Sequence, residues 1–550
     1  MTSDLLLLLV PLIVVAGLVL LGTRLPNGHL GPLLALPAHR LAPVVAGIVT
    51  GAAVWYAWGG LHAPAPIHDE ASYLLQARNF ASFHWAMPAP PLPSFFEQYH
   101  TFVTPTIASK YPPGHALLLV PGIWLSLPGL IPVLLSALAG GLLFALVRRV
   151  TNPWVAVLTF VLWVPTTANL RFRATYMSET TSSVLWLLGW WALLEWRARR
   201  SNRWLVVLAA CVAWMAITRP FTAVAYAIPV GAVVIMDLTR RRQWRELVRP
   251  ALVGLGILAL LPIWNQRTLG DWRTAPYQEY SRIYFPFDDV GFGLNAARPQ
   301  RPLPPDMQQF TQLMGQPHAF HTPDRLPAIF LDRWHALFAD ALGGWRASLA
   351  LFAIIGLAVL GAPGWFAVAS AVLLTAVYLA FAHPTTWMVY YLEIFPLVPF
   401  LTALGIGTVA SALVSPNARI GRRLARDWGP RQALGAFLVT VALLWPTTYG
   451  VLRARNLQAA VQSYHLWFER RIATIPDQRA IVFIRYGPRH NVHHSLIAND
   501  PDLAHARLWI VYDRGPANRQ LAALAPDRAT YLFDEASGSL MRLTRTAGTR

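Results

Sequence analysis

Apolar stretches close to the ~20 residues needed to cross a hydrocarbon core recur along the whole chain, and that recurrence leaves little choice of fold. They fall at 4–22, 41–60, 129–147, 153–168, 180–196, 204–218, 221–238, 250–265, 347–362, 364–382, 391–412 and 432–450. This predicts an all-α polytopic membrane protein with about twelve transmembrane helices. Hydrophobic residues make up 55% of the chain and charged ones 13%, too few charges for a soluble surface. Met1-Thr2-Ser3-Asp4 lacks the positive region of a signal peptide and no small-residue cleavage site follows, so the first run is read as a span. Residues 115–127, broken by Pro121 and Pro128, suit an interfacial or re-entrant helix.

The formal net charge of +19 would suggest nucleic acid if the arginines formed a stripe on a soluble domain. They lie instead between the apolar runs, where they act as topology signals. Arg24, Arg40, Arg148, Arg149, Arg197, Arg199, Arg200, Arg203, Arg240 to Arg242, Arg245, Arg249, Arg419, Arg422, Arg423 and Arg426 mark the cytoplasmic side. Alternation then places 61–128, 169–179, 266–346, 383–390 and everything after about 451 outside. The expected organisation is a transmembrane region over 1–450, with outer loops 61–128 and 266–346, and a small α/β extracytoplasmic domain over 451–550. Within that domain Ala480–Ile484, Leu508–Tyr512 and Thr530–Phe533 read as buried strands. The single cysteine, Cys211, lies in an apolar run and reads as a small buried residue.

Residues 67–115 carry the densest polar chemistry. The stretch opens on Asp69-Glu70, closes on Lys110-Tyr111-Pro112-Pro113, and contains the only lysine of the chain. With Arg171, Arg173, Glu179, Arg219, Arg282, His383 and Tyr390 these residues form a set of acids, bases and a phenol at the outer membrane boundary, where ionisable groups are expensive and often functional. A carboxylate beside guanidinium groups and an ammonium suits a reaction in which an acceptor hydroxyl loses its proton while a phosphate departs. Asp69 is the candidate base, and the cations are the candidate phosphate ligands. A lipid-linked phosphosugar brings such a leaving group within the bilayer. No phosphate loop, CxxC, HExxH or GxSxG pattern occurs, so neither a nucleotide-driven pump nor a zinc hydrolase is indicated. His490, His493 and His494 are spaced for one helical face, but only Asp500 adds a ligand type nearby, so no metal site is assigned. No cofactor is called for, although a divalent metal is not excluded.

The layout of His68-Asp69-Glu70 in the first outer loop, Lys110-Tyr111-Pro112-Pro113 before the next apolar helix, and Tyr176-Met177-Ser178-Glu179 after the following outer turn resembles the GT-C glycosyltransferases. It is most similar to the dolichyl-phosphate-mannose protein mannosyltransferases and the undecaprenyl-phosphate-aminoarabinose transferases. The resemblance covers residues 41–400 in layout and those three stretches in detail. It implies Asp69 at the catalytic acid position with Glu70 beside it, Lys110 at the donor phosphate, Glu179 as the second acid, and inversion at the sugar carbon. Tyr111 between the lysine and the prolines, and an extra N-terminal span, depart from the aminoarabinose transferases.

The expected partners are a polyprenyl-phosphate-linked sugar, a glycan, lipid or protein acceptor, and membrane lipids, with no nucleic acid. The expected location is the inner (plasma) membrane, multi-pass, with the active site outside. Other readings stand beside this one. Asp69 and Glu70 suit a helix N-terminus, Lys110 suits a snorkelling cation, and Glu179 suits a structural bridge to an arginine. Arg171 and Arg173 suit a lipid headgroup, while His383 and Tyr390 suit an aromatic belt. A transporter or flippase for a lipid-linked anion is the rival function, and a non-catalytic envelope assembly factor a third.

Overall fold

The computed structural model describes residues 2–24, 30–343, 348–414 and 430–543. Arg419, Arg422, Arg423 and Arg426, used above to orient the chain, lie outside the described residues. Helices occur at the positions of all twelve apolar runs, but the described residues contain 6 helices long and apolar enough to cross a membrane, or up to 8 if each bent pair is one span. The expected twelve is therefore not met by length and composition. The run at 153–168 breaks at Pro165 into Pro153–Trp163 and Thr167–Arg173, bent by 77°. The run at 347–362 yields the nine-residue helix Ala350–Ala358, and the run at 204–218 gives the 15-residue helix Asn202–Ala216. Apolar composition alone did not reveal these breaks.

Local chemistry explains the helix starts. Asn152 caps Pro153–Trp163 by accepting from the backbone N–H of Trp154 (2.9 Å) and Val155 (3.0 Å), with Pro153 at the first position. Pro113 is the N-cap of Gly114–Trp124, which at about 16 Å is too short to span. Small residues let the spans approach closely. Ala42–Trp58 lies against Leu130–Val150 through Gly47 and Gly51. Ala350–Ala358 meets Leu397–Val414 where a Cβ on Gly405 would lie 1.8 Å from the Phe352 carbonyl oxygen.

The segments expected from the sequence to be outer fold over one end of this bundle. Between helices His68–Ala81 and Gly114–Trp124, the first outer loop forms a small antiparallel sheet of order β1-β3-β2, with β1 Met87–Pro88, β2 Thr101–Phe102 and β3 Thr106–Ser109. Near the C-terminus β4 Ala480–Arg485, β5 Leu508–Tyr512, β6 Ala529–Asp534 and β7 Ser539–Arg542 form a second sheet of order β5-β4-β6-β7. β4 is parallel to both of its neighbours, and β7 closes the edge antiparallel to β6. Apolar side chains of the first loop (Phe95, Phe96, Ile107) pack on Phe483, Trp509 and Val511 of this sheet. Tyr284, Phe285 and Phe310 of the second loop pack with Tyr99, Phe102 and Val492. The helix Pro430–Ile472, 43 residues and about 65 Å long, joins bundle to sheet; the boundary expected at 450/451 falls inside it.

The Gly405 approach can be tested. Gly405→Leu forces the two helices apart and lowers the melting temperature or abolishes monodisperse protein, an effect of about 1–3 kcal/mol or more. Gly256→Leu, which meets nothing within 4 Å, leaves both unchanged. Differential scanning fluorimetry and size-exclusion chromatography read the contrast.

Candidate active site

A cavity of about 1010 Å³ lies where the outer loops meet the helices. Asp69 and Glu70 sit in the first turn of His68–Ala81, whose N-cap is the extended Ile67 and makes no side-chain cap bond. Neither carboxylate serves as the N-cap, so Asp69 is free to face the cavity. It accepts a hydrogen bond from the Tyr111 hydroxyl, and His100 Nε2 stands 3.8 Å from its other oxygen. Burial, then the adjacent Asp69, pushes the Tyr111 phenol well above its ordinary pKa, so Tyr111 keeps its proton and donates.

Hydrogen bonds fix this wall. Ser72 Oγ donates to the His100 carbonyl (2.6 Å), Gln76 accepts from the Ser109 N–H (3.1 Å), and the Lys110 N–H bonds the His100 carbonyl (2.9 Å). The helix bearing Asp69 is thus held against β3, and Lys110 follows directly. Its side chain is 1% exposed, yet it lines the cavity, with Nζ 2.9 Å from Asp288 Oδ2 and 4.3 Å from the Tyr277 ring centre. Arg171, Asp340 and Arg453 add further charges to the lining.

The structure brings His68, Asp69, Glu70, Lys110, Tyr111, Arg171 and Tyr390 of the expected set to this one cavity. Glu179, Arg173, Arg219, Arg282 and His383 do not line it. Arg219 pairs with Glu179, lies 3.6 Å from Glu393 and donates to the Tyr378 hydroxyl (2.6 Å), so its charge is spent inside the bundle. Glu179 is correspondingly a bridge to an arginine, though to Arg219 rather than Arg171 or Arg173. Arg173 is wholly buried, bonded to Asn169 (2.9 Å) and Ser183 (3.2 Å). Arg282 is exposed and paired with Glu279. His383 bonds the Pro384 carbonyl and the Tyr391 hydroxyl, both at 2.9 Å, and burial, then Arg333, pushes its pKa down to about 3.

The buried network is not remote from the cavity. Tyr73 donates to Ser178 (2.9 Å), which accepts from Arg219 (3.4 Å), and the Tyr73 ring stacks on Tyr111 at 4.6 Å. Sequence reading missed Asp288, Tyr277, Asp340, Arg453 and His100 as lining residues. Asp288 lies in an irregular, proline-rich loop with no periodicity to point at it. The segment bearing His490, His493 and His494 is not helical. His490 turns to Glu535 (2.9 Å), while His493 and His494 line the cavity.

The profile of the dolichyl-phosphate-mannose-protein mannosyltransferase family matches residues 128–264, in accord with the GT-C resemblance read from the motifs. No curated protein matches the chain in sequence. Among solved structures the chain is similar to ArnT from Cupriavidus metallidurans bound to undecaprenyl phosphate (14% identity, 90% of this chain and 93% of that one, TM-score 0.47). It is also similar to the oligosaccharyltransferase of Archaeoglobus fulgidus (12%, 90% and 69%, TM-score 0.44). A further likeness is to the arabinosyltransferase EmbB of Mycobacterium smegmatis (14%, 76% and 40%, TM-score 0.39).

Removing one member of the Lys110–Asp288 pair strands a charge with little access to water. Asp288→Asn and Lys110→Met each lower the melting temperature, and the double variant recovers most of the loss. The expected coupling is about 3 kcal/mol, read by a double-mutant cycle of thermal unfolding.

Proposed function

We propose that the chain is a membrane glycosyltransferase of GT-C type. It moves a sugar from a polyprenyl phosphate to an acceptor hydroxyl at the extracytoplasmic face of the inner membrane. The observation that carries this reading is the convergence of Asp69, Lys110 and Arg171 on one cavity where the loops 61–128 and 266–346 meet the helices. The family-profile match over 128–264 and the three motifs support it.

In this reading Asp69 takes the proton of the acceptor hydroxyl as its oxygen bonds to the anomeric carbon. The bond from that carbon to the phosphate oxygen breaks, and its electron pair leaves with the lipid phosphate. Attack opposite the leaving group inverts the sugar carbon, and no covalent enzyme intermediate is required. Tyr111 orients Asp69. Arg171 and Arg453, with Lys110 at the inner wall, stabilise the departing phosphate; Lys110 exchanges part of its pairing with Asp288 for that phosphate. Arg219 and Glu179 hold the bundle beneath the site.

The transporter reading is less favoured. Asp69, Lys110 and Asp288 are carried by outer loops, whereas a transport site is expected on broken spans near the membrane midplane.

Purified protein in liposomes, supplied with radiolabelled polyprenyl-phosphate sugars, tests the proposal. Wild type transfers or releases sugar, Asp69→Asn loses at least about 100-fold in turnover, and Arg171→Gln raises the donor KM more than it lowers kcat. Equal turnover by Asp69→Asn removes Asp69 as the base. Passage of intact donor across the bilayer without bond cleavage establishes the transporter instead.

A further inference from the structure

The C-terminal sheet reaches into the cavity through one segment. Between β4 and β5 the chain carries His493 and His494 onto the lining beside His68 and His100 of the first outer loop. The ring of Phe310 lies between the two contributions, 5.7 Å from His68 and 5.7 Å from His493. Tyr99 stacks on His68 at 3.8 Å and fixes its plane. The segment is anchored from behind, since Glu535 accepts from the Gly487 N–H (2.8 Å) and bonds His490 (2.9 Å), and the Tyr486 hydroxyl accepts from the Leu496 N–H (2.8 Å).

Three of these imidazoles have a nitrogen shut off from solvent with no hydrogen-bond partner among the described residues: His68 Nε2, His100 Nδ1 and His494 Nδ1. His68 and His100 are each only 7% exposed. These three nitrogens are closed to the cavity as well as to solvent, so what the lining offers an occupant is the other ring nitrogen of each, together with the His493 ring.

The kind of occupant follows from the protonation states. Burial holds all four imidazoles below their ordinary pKa, helped at His68 by His100, at His100 by Lys110 and at His494 by His493. A nitrogen of a neutral imidazole is either a donor or an acceptor, and a hydroxyl, being both, pairs with either. A phosphate offers acceptors only and is better met by the cations elsewhere on the lining.

We propose that His68, His100, His493 and His494, grouped around Asp69, form a subsite for the hydroxyl groups of a sugar ring, completed by the C-terminal region. The inference rests on the glycosyltransferase reading and adds to it a carbohydrate-binding role for residues after the last membrane helix. The ring belongs either to a glycan acceptor or to the donor; the chemistry recognised is the same.

Saturation-transfer NMR on the full chain in nanodiscs tests this, with methyl glycosides of mannose, galactose, glucose and arabinose as probes and cyclohexanol as the single-hydroxyl control. Wild type gives transfer to at least one glycoside and none to cyclohexanol. His493→Ala with His494→Ala weakens that glycoside about five- to tenfold, while undecaprenyl phosphate binds within about twofold of wild type. His493→Gln with His494→Gln, which keeps donors and acceptors, recovers most of the binding. A glycoside that stays bound beside undecaprenyl-phosphoryl-mannose marks an acceptor subsite. One that this lipid displaces, but plain undecaprenyl phosphate does not, marks the donor sugar; either supports the subsite. Absence of glycoside transfer to wild type that still binds undecaprenyl phosphate overturns the inference and leaves the glycosyltransferase reading standing. Glycoside binding without undecaprenyl phosphate binding overturns that reading instead. Loss of both probes in both double variants assigns the two histidines to structure and also overturns the inference.

Discussion

Lys110 is drawn almost wholly out of water, and an ammonium so placed has to be matched by an opposite charge. That requirement organises the outer face. The partner, Asp288, lies on the second outer loop, which must fold down over the first to deliver it. In doing so it places Phe285 and Phe287 beside Tyr99, Phe102 and Phe310, an aromatic layer that Val492 of the C-terminal region extends. The ion pair itself adds little net stability once its desolvation is counted. Its effect is on arrangement: three separated parts of the sequence form one roof over one cavity.

Two kinds of buried polar group coexist and do different work. Arg219, Glu179, Glu393 and Ser182 pair with one another inside the bundle, and Arg173 bonds Asn169 and Ser183. Such groups tie the helices together and stand outside the cavity lining. Asp69, Arg171 and the cavity histidines instead line the space between the helices and the roof. The stack of Tyr73 on Tyr111 is where the two sets touch.

The sequence showed the first-order design because its signals there are local. A polar stretch between apolar runs exposed Asp69 and Lys110, and the strand-like apolar runs near 480, 508 and 530 coincide with β4, β5 and β6. The rest depends on which side chains meet. Arg219 at an outer turn looked like an anion ligand, since nothing in the order of residues reveals that Glu179 and Glu393 converge on it. Asp288 went unnoticed because an acid in a proline-rich loop carries no periodic mark. Twelve apolar runs do not yield twelve helices of spanning length among the described residues, because hydropathy does not register the break at Pro165 or the shortness of Ala350–Ala358. Histidines at helical spacing suggested a shared face, but a non-helical backbone sends His490 to Glu535 and the other two to the cavity.

The roof also imposes an order on biosynthesis. The wall bearing Asp69 and Lys110 leaves the ribosome early, whereas β4 to β6, which cover Phe95, Phe96 and Ile107, leave only after the membrane helices. Through most of translation that apolar face of the first outer loop has no mate. A chain cut short after its membrane helices therefore leaves Phe95, Phe96 and Ile107 without the sheet that covers them.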